Sequence, residues 1–212
     1  MAILNILKYP SAILLRKTRP VKGVDKGLER LVRDMAETMY AAPGIGLSAN
    51  QVGKDLRLCI IDVTPLEKEK NLIVLLNPKI ISLEGKIIRE EGCLSIPGFK
   101  ADVERGEKVT VRALDLKGRP FSIEANDLLA RALQHEIDHL DGILFPDRLS
   151  RLKRNLLIRK IKKALAEQQV AKVTTLTSFP SPIGRGIHPE QTIFISGAHP
   201  AKGGTPLPPK AG

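Results

Sequence analysis

The sequence predicts an α+β fold, in which mostly antiparallel β-sheets wrap around a central helix with the pattern H-E-x-x-H. A second helix is expected near the N-terminus and a basic helix at the C-terminal end of the domain. Three observations predict this fold. Apolar residues recur at helical spacing in three separate segments. Two apolar, β-rich segments lie between the first and second of these. Residues 107–125 then alternate in polarity around Lys117-Gly118, which is typical of a hairpin turn.

The N-terminal helix is predicted within residues 24–44, because Pro43-Gly44 ends a run with helical spacing. The apolar residues of this run are Leu28, Leu31, Val32, Met35 and Met39. Residues 45–53, IGLSANQVG, are interpreted as a loop. Residues 56–63 and 71–85 are apolar and β-rich, which favours buried strands.

The central helix is predicted over residues 128–140, with Asn126 or Asp127 as its cap and Gly142 as its end. Residues 146–169 predict a second, very basic helix. Its apolar stripe consists of Leu149, Leu152, Leu156, Leu157, Ile161 and Leu165. Its basic residues are Arg148, Arg151, Lys153, Arg154, Arg159, Lys160, Lys162 and Lys163.

The chain is expected to divide into one domain, residues 1–169, and a Pro/Gly-rich tail, residues 170–212, that is disordered or draped over the surface. No apolar run is long enough to span a bilayer, and the first residues lack the order of a secretory signal. Two cysteines do not suggest a disulfide framework. We therefore expect a cytoplasmic protein. Its net charge of +11 favours acidic partners such as nucleic acid, a membrane surface or a ribonucleoprotein.

The central helix would place His135 and His139 about 40° apart and one turn from each other, so that both imidazoles can converge on one metal ion. Glu136 lies about 60° from His139, near such a metal without having to ligate it. There it could take a proton from metal-bound water and pass it to a leaving group. The alternative is a solvated helix face without function. A defined orientation is favoured by an apolar opposite face, formed by Leu128, Leu129, Leu133 and Ile137.

A catalytic metal site normally has a third protein ligand. Downstream of the histidines, only Asp141 and Asp147 are near in the sequence. Upstream, Cys93 lies in the segment EGCLSIPG, in a loop or at a strand end, and a thiolate is a strong ligand for Zn²⁺ or Fe²⁺. The alternative for Cys93 is a buried apolar residue, which is how we interpret Cys59.

Three segments carry a resemblance to a known family. GIGLSANQ (residues 44–51), EGCLS (91–95) and QHEIDH (134–139) resemble, in this order and spacing, the three motifs of the peptide deformylases. The resemblance runs from the N-terminus through the basic helix and leaves out the tail. It implies hydrolysis of the N-formyl group from the initiator methionine of new bacterial proteins, with release of formate.

The resemblance also implies roles for individual residues. The metal ligands would be Cys93, His135 and His139, and Glu136 would be the general acid/base. Gln51 and the backbone N–H of Leu94 would donate to the formyl oxygen. Ile45, Gly46 and Gly92 would hold the substrate peptide by main-chain bonds, as an added strand. Leu128, Arg131 and Ala132 would line the methionine pocket, although Leu128 and Ala132 could equally be plain core.

Two residues depart from the family pattern. Ser48 stands where the family commonly has alanine, and its hydroxyl needs a partner in a tight loop. Lys100 lies near where many members have arginine, which weakens any inference about the far end of the peptide. Gln134 and Asp138 flank the histidines and could either orient the imidazoles or face solvent. We also predict that Asp138 pairs with Arg105.

One divalent metal ion per chain is implied, and the resemblance favours Fe²⁺, while Zn²⁺, Ni²⁺ and Co²⁺ also suit Cys plus two His. The basic helix, around Arg148–Lys163, predicts docking to ribosomal RNA near the exit tunnel, where formyl-methionyl nascent peptides emerge. The alternative is a solvated basic face. Two other functions compete: a metallopeptidase that cleaves internal peptide bonds, and a non-catalytic RNA-binding protein with a structural zinc.

Overall fold

The computed structural model describes residues 2–64 and 69–177, with side chains as far as Glu167. Within these residues there are three α-helices: α1 (Lys26–Ala41), α2 (Asp127–Leu140) and α3 (Arg151–Thr177). The strands of the same residues are β1 (Gly46–Ser48), β2 (Leu58–Ile61), β3 (Ile73–Glu84), β4 (Ile87–Cys93), β5 (Ile96–Arg105), β6 (Lys108–Leu114) and β7 (Pro120–Asn126).

The strands form two antiparallel sheets. The larger has the order β1-β2-β3-β6-β7, and the smaller is the hairpin β4-β5. The predicted α+β fold with antiparallel sheets, an N-terminal helix and a C-terminal helix is confirmed. The predicted turn at Lys117-Gly118 joins β6 to β7, and Gly118 has a φ of +73°, a conformation that glycine adopts without strain.

The larger sheet is covered by a helix on each face. In β2, Leu58 and Ile60 face a core shared with α1, whereas Cys59 and Ile61 face a core shared with α2. All four are fully buried, which explains why this strand is continuously apolar. The interpretation of Cys59 as a buried apolar residue is therefore confirmed.

Helix α2 lies between the two sheets. Leu133, Ile137 and Leu140 pack against the larger sheet, while the polar side of the helix meets the β4-β5 hairpin. The helix ends at Leu140, as predicted, and Gly142 follows with a φ of +75°, a left-handed conformation that glycine adopts after a helix. Glycine is also needed there because a Cβ would come within 2.7 Å of the backbone nitrogen of Arg16. Asn126 occupies the N-cap position, but its side chain makes no capping hydrogen bond.

A third core cluster joins α3 and β5 to the N-terminal segment. Leu14, Val103, Phe145 and Ile161 are buried in it. The prediction that the apolar stripe of α3 is buried was partly wrong, because Leu152 and Leu156 are 71% and 50% exposed.

Several features differ from the sequence-based expectations. The β4-β5 hairpin was not predicted, and the segment interpreted as a loop, residues 45–53, contains β1 and a short 3₁₀ turn at Ala49–Val52. Helix α3 continues to Thr177, beyond the predicted start of the tail at residue 170. The rest of that predicted tail, residues 178–212, which includes His188 and His199, lies outside the described residues. Among the helices that the structure describes, none combines the length and apolar character needed to cross a bilayer.

Candidate metal centre

Cys93, His135 and His139 come together at one point between α2 and β4. Their candidate ligand atoms all lie within 4.8 Å of one another, and the Cys93 Sγ is 3.1 Å from the Nε2 of His139. Cys93 is the last residue of β4, and the two histidines lie one turn apart on α2, with ring centroids 4.9 Å apart. The structure therefore brings together the three side chains that the sequence predicted.

The donor set and its spacing fit a divalent metal ion. A tetrahedral Zn²⁺ with one sulfur and two nitrogen ligands would hold these atoms roughly 3.3–3.6 Å apart. The 3.1 Å between Sγ and the His139 Nε2 is close to this spacing. The Nδ1 of His135 lies 3.1 Å from the Oε2 of Glu91, which leaves its Nε2 as the nitrogen that can bind a metal.

The charges of the three side chains also favour metal binding. Burial alone would raise the pKa of the Cys93 thiol, but the neighbouring imidazoles of His139 and His135 hold it well below its usual range. The thiolate is the form of cysteine that binds metal ions. Cys59, in contrast, has its pKa raised by complete burial and stays a neutral thiol.

Glu136 lies in the wall of the same site, and β1 surrounds its carboxylate. The Ser48 hydroxyl is 2.6 Å from the Oε2 of Glu136 and 3.0 Å from its main-chain oxygen. Gly46 leaves room for the carboxylate, because a Cβ there would be 2.4 Å from Oε1. Burial raises the pKa of Glu136, although the imidazoles and the Ser48 hydroxyl oppose this effect. The hydroxyl of Ser48, for which the sequence required a partner, has therefore found one.

Gln51 is oriented by its own short turn. Its Oε1 accepts a hydrogen bond from the backbone N–H of Ser48 at 2.8 Å, so its Nε2 is directed towards Ser95 Oγ, at 3.2 Å, and Cys93 Sγ, at 3.7 Å. The N-terminal segment holds this turn, because the backbone N–H of Leu7 donates to the Gln51 carbonyl oxygen. The amide donor of Gln51 consequently faces the candidate metal ligands.

A chain of charged side chains, formed by Glu91, Arg105, Asp138 and Arg148, holds the His135 ring on the side away from the candidate metal position. Glu91 contacts the His135 ring and accepts two hydrogen bonds, both 2.9 Å, from the Arg105 guanidinium. Arg105 also donates to Asp138 at 2.5 Å, and Asp138 is in turn bound by Arg148. Burial would raise the pKa of Glu91, but His135 and Arg105 lower it to about 2, so that Glu91 is anionic.

The predicted pair of Asp138 with Arg105 is therefore confirmed, and a solvent-facing Asp138 is excluded because the residue is 4% exposed. Gln134 is equally buried, but it does not touch the imidazoles. Its side-chain amide bonds to both the N–H and the C=O of Gly106, and so ties α2 to the turn between β5 and β6.

A cavity of about 810 Å³ opens beside the candidate metal ligands. The predicted substrate-contacting residues all line it: Ile45, Gly46, Gly92, Leu128, Arg131 and Ala132. Gln51, Leu94, Cys93, His135 and Glu136 line it as well. Leu128 is 39% exposed at the cavity and so does not belong to the buried apolar face of α2. Ala132 fits both interpretations made from the sequence, because it lines the cavity and also belongs to the core shared with the larger sheet.

Sequence reasoning missed three residues of the site. Glu91 precedes Cys93 by two positions, so both side chains would have been placed on one face had β4 been recognised as a strand. Ser48 was noted only as a departure from the family. Lys8, which lines the cavity and donates to the carbonyl oxygen of Leu94 at 2.6 Å, carried no sequence signal because 86 residues separate the two. Lys100 pairs with Glu90 at the cavity rim.

Known proteins resemble this chain over the whole of the described site. The family model described as polypeptide deformylase matches residues 3–155. A peptide deformylase of Thermodesulfovibrio yellowstonii is 52% identical over 162 residues, which cover 76% of this chain and 98% of that protein. The crystal structure of a peptide deformylase from Legionella pneumophila matches with a TM-score of 0.72 at 49% identity, covering 79% of this chain and 98% of that one. The enzyme of Ehrlichia chaffeensis, crystallised in complex with actinonin, matches with a TM-score of 0.71 at 40% identity, over 77% of this chain and 98% of that one.

Proposed function

Because this chain belongs to the polypeptide deformylase family and is an enzyme, we propose that it removes the N-formyl group from formyl-methionine at the start of new proteins. The observation that carries the proposal is the meeting of Cys93, His135 and His139 beside Glu136 in the wall of an open cavity. Family membership excludes the non-catalytic RNA-binding interpretation and supports deformylation rather than cleavage of internal peptide bonds.

Cys93, His135 and His139 would hold one divalent metal ion, for which we propose Fe²⁺ in the cell and Zn²⁺, Ni²⁺ or Co²⁺ as substitutes. When bound, such an ion supplies the Lewis acidity that makes water a nucleophile near neutral pH. Glu91 would keep the His135 ring in the orientation for binding, with Arg105 holding Glu91 in place.

Glu136 would move the proton. Its carboxylate takes a proton from the water that attacks the formyl carbon, and later gives it to the departing amine. The new C–O bond replaces the C–N bond of the formamide, so the products are formate and a free α-amino group. Burial raises the pKa of Glu136, which suits a group that must accept and then release a proton.

Gln51 and the backbone N–H of Leu94 would stabilise the negative charge that grows on the formyl oxygen. The Ser48 N–H fixes the Gln51 amide with its nitrogen towards the ligands, so little reorientation is required during the reaction. Leu94 follows the ligand Cys93 directly, and Lys8 holds its carbonyl oxygen. One donor of this kind can contribute about 3 kcal/mol to the stability of a transition state.

The substrate peptide would lie between the two sheets. Among the strands that the structure describes, β1 and β4 are each at the edge of their sheet, and the cavity is between them. An extended peptide could therefore bond to Ile45 and Gly46 on one side and to Gly92 on the other. Leu128, Arg131 and Ala132 would receive the methionine side chain, with Arg131 contributing its aliphatic stem.

We propose that the basic helix docks to the ribosome. On α3, Arg151, Lys153, Arg159, Lys160 and Lys162 are exposed, whereas Leu157 and Ile161 anchor the helix to the domain. Such a face favours phosphate, and its affinity should fall steeply with salt. The working compartment would then be the cytoplasm, and residues 1–169 would form the catalytic domain.

The ribosome proposal is tested by replacing Lys160, Lys162 and Lys163 with Glu. Co-sedimentation with ribosomes should decrease strongly, while formate release from a free peptide stays unchanged. A control with the same change in charge is Glu at Lys79, Lys108 and Lys117, which are exposed on the larger sheet. Equal co-sedimentation of both triple variants would contradict docking through α3.

The activity itself is tested by measuring formate release from a formyl-Met peptide, with metal content determined on the same sample. The unmodified chain, called the parent below, should release formate. Glu136→Ala should retain the metal but lose turnover. Actinonin, which is bound in the Ehrlichia chaffeensis structure, is expected to inhibit the parent. No formate release from a metal-loaded parent would refute the proposed function.

A further inference from the structure

We propose that Ser48 is a positioning residue for Glu136, and that its hydroxyl holds the carboxylate in the orientation that proton transfer requires. The inference rests on the proposed function, because it assigns the support of the general acid/base in that reaction. Ser48 does not line the cavity, so it acts through Glu136 and not on the substrate.

The contact is short and shielded from water. The Ser48 Oγ is 2.6 Å from the Glu136 Oε2, and the two residues are 0% and 4% exposed. A hydrogen bond to a charged, buried carboxylate is stronger than one between neutral groups. Ser48 is therefore well placed to restrict the rotation of the Glu136 side chain.

Strand β1 surrounds the carboxylate with two different residues. Positions 46 and 48 of a strand project to the same face, here towards α2, while Leu47 points into the core shared with α1. Gly46 makes space for Oε1, since a Cβ there would lie 2.4 Å from that oxygen, and Ser48 binds Oε2. Oε2 is thus the anchored oxygen, and Oε1 is left for proton transfer.

A hydroxyl suits a group that changes its charge during turnover. It has one proton and two acceptors within reach, the Glu136 Oε2 at 2.6 Å and the Glu136 main-chain oxygen at 3.0 Å. When Glu136 is ionised, the hydroxyl donates to Oε2. When Glu136 carries a proton on Oε1, Oε2 becomes the carbonyl oxygen of the acid and can still accept from the Ser48 hydroxyl.

The expected effect is limited in size. The hydroxyl acts only through Glu136, because Ser48 does not line the cavity, so its loss should weaken the chemistry without abolishing it. The backbone N–H of Ser48, which orients Gln51, is retained in any variant of the side chain. Ser48→Ala therefore removes the support of Glu136 and leaves that of Gln51 in place.

The test compares steady-state kinetics of the parent and Ser48→Ala on a formyl-Met peptide, with metal content measured on both. We expect kcat to fall about tenfold, with KM within about twofold and metal content unchanged. A crystal structure of the variant should show the Glu136 carboxylate in more than one orientation. The matched control is Thr18→Val, which removes another buried hydroxyl bonded to α2, at the Leu140 oxygen, and should leave kcat unchanged.

A double variant separates positioning from general damage. Glu136→Asp shortens the side chain and withdraws the carboxylate from the hydroxyl, so adding Ser48→Ala to it should change kcat by less than about twofold. A full tenfold loss in that background, a kcat of Ser48→Ala within twofold of the parent, or loss of metal would each overturn the inference. Should Ser48→Ala not fold, Ser48→Gly removes the same hydroxyl and is judged by the same criteria. An inactive parent would instead refute the proposed function.

Discussion

Arg105→Met should destabilise the protein strongly, because it removes the cation between two buried carboxylates. The Arg105 side chain is 3% exposed, and those of Glu91 and Asp138 are 7% and 6% exposed. Removing one member of a buried ion pair costs about 3–5 kcal/mol of unfolding free energy. Asp138 would keep Arg148 and Glu91 would keep its contact with the His135 ring, so the lower end, about 3 kcal/mol, applies.

This loss should be measurable as a shift in the thermal midpoint. For a chain of this size, 1 kcal/mol corresponds to about 2–4 °C, so Arg105→Met should unfold about 6–12 °C below the parent. The measurement is thermal unfolding by circular dichroism at pH 7, in excess chelator, so that differences in metal binding do not contribute. His135 should also lose orientation, which predicts a metal affinity about 10–100-fold lower in a separate titration.

The control is Lys86→Met on the same hairpin, where the pair with Glu104 is exposed on both sides. Exposed ion pairs contribute little, so the midpoint of this variant should lie within about 4 °C of the parent. Equal midpoints for Arg105→Met and Lys86→Met would refute the view that the buried charge chain holds α2 to the hairpin.

Two further predictions concern Glu91 and Gly46. The pKa of Glu91 falls from an ordinary value of 4.5 to about 2, so Glu91 contributes stability above pH 4.5 that is lost as the pH falls through 2. This lowering of the pKa corresponds to about 3 kcal/mol of unfolding free energy. Between pH 4.5 and 2 the unfolding free energy should therefore drop less steeply in Glu91→Gln than in the unmodified chain. Parallel curves for the two chains would contradict the lowered pKa of Glu91. Gly46→Ala should lower kcat by about 100-fold with metal retained, because its Cβ displaces the Glu136 carboxylate, whereas Gly23→Ala, with no atom within 4 Å of a Cβ, should be neutral. Unchanged kcat in Gly46→Ala would exclude that placement of Glu136.

The sequence predicted the elements whose burial follows a simple period. Helix α1 buries Leu28, Val32, Met35 and Met39 at helical spacing, and β6 and β7 alternate around a glycine turn. Strand β4 was missed because it belongs to a two-stranded sheet and exposes Ile88, Arg89 and Glu90 in succession, which leaves no two-residue period.

The sequence was sufficient to predict the candidate metal ligands, but not the residues that hydrogen-bond to the side chains of the site. Helical spacing alone brings His135 next to His139, whereas the approach of Cys93 followed from the family motifs. The partners of these residues depend on how separate elements pack. Glu91 reaches His135 only because β4 lies against α2, and Ser48 reaches Glu136 across 88 residues of sequence. Neither contact leaves a local pattern in the sequence.

The central claim is that one thiolate and two imidazoles bind a single catalytic metal ion. X-ray absorption at the metal edge of anaerobically purified protein tests it directly, since it counts the atoms around the ion. We expect one sulfur at about 2.3 Å and two imidazole nitrogens at about 2.0–2.1 Å if the ion is Zn²⁺, with the sulfur absent in Cys93→Ser. A shell without sulfur in the parent, or an unchanged sulfur signal in Cys93→Ser, would contradict the account.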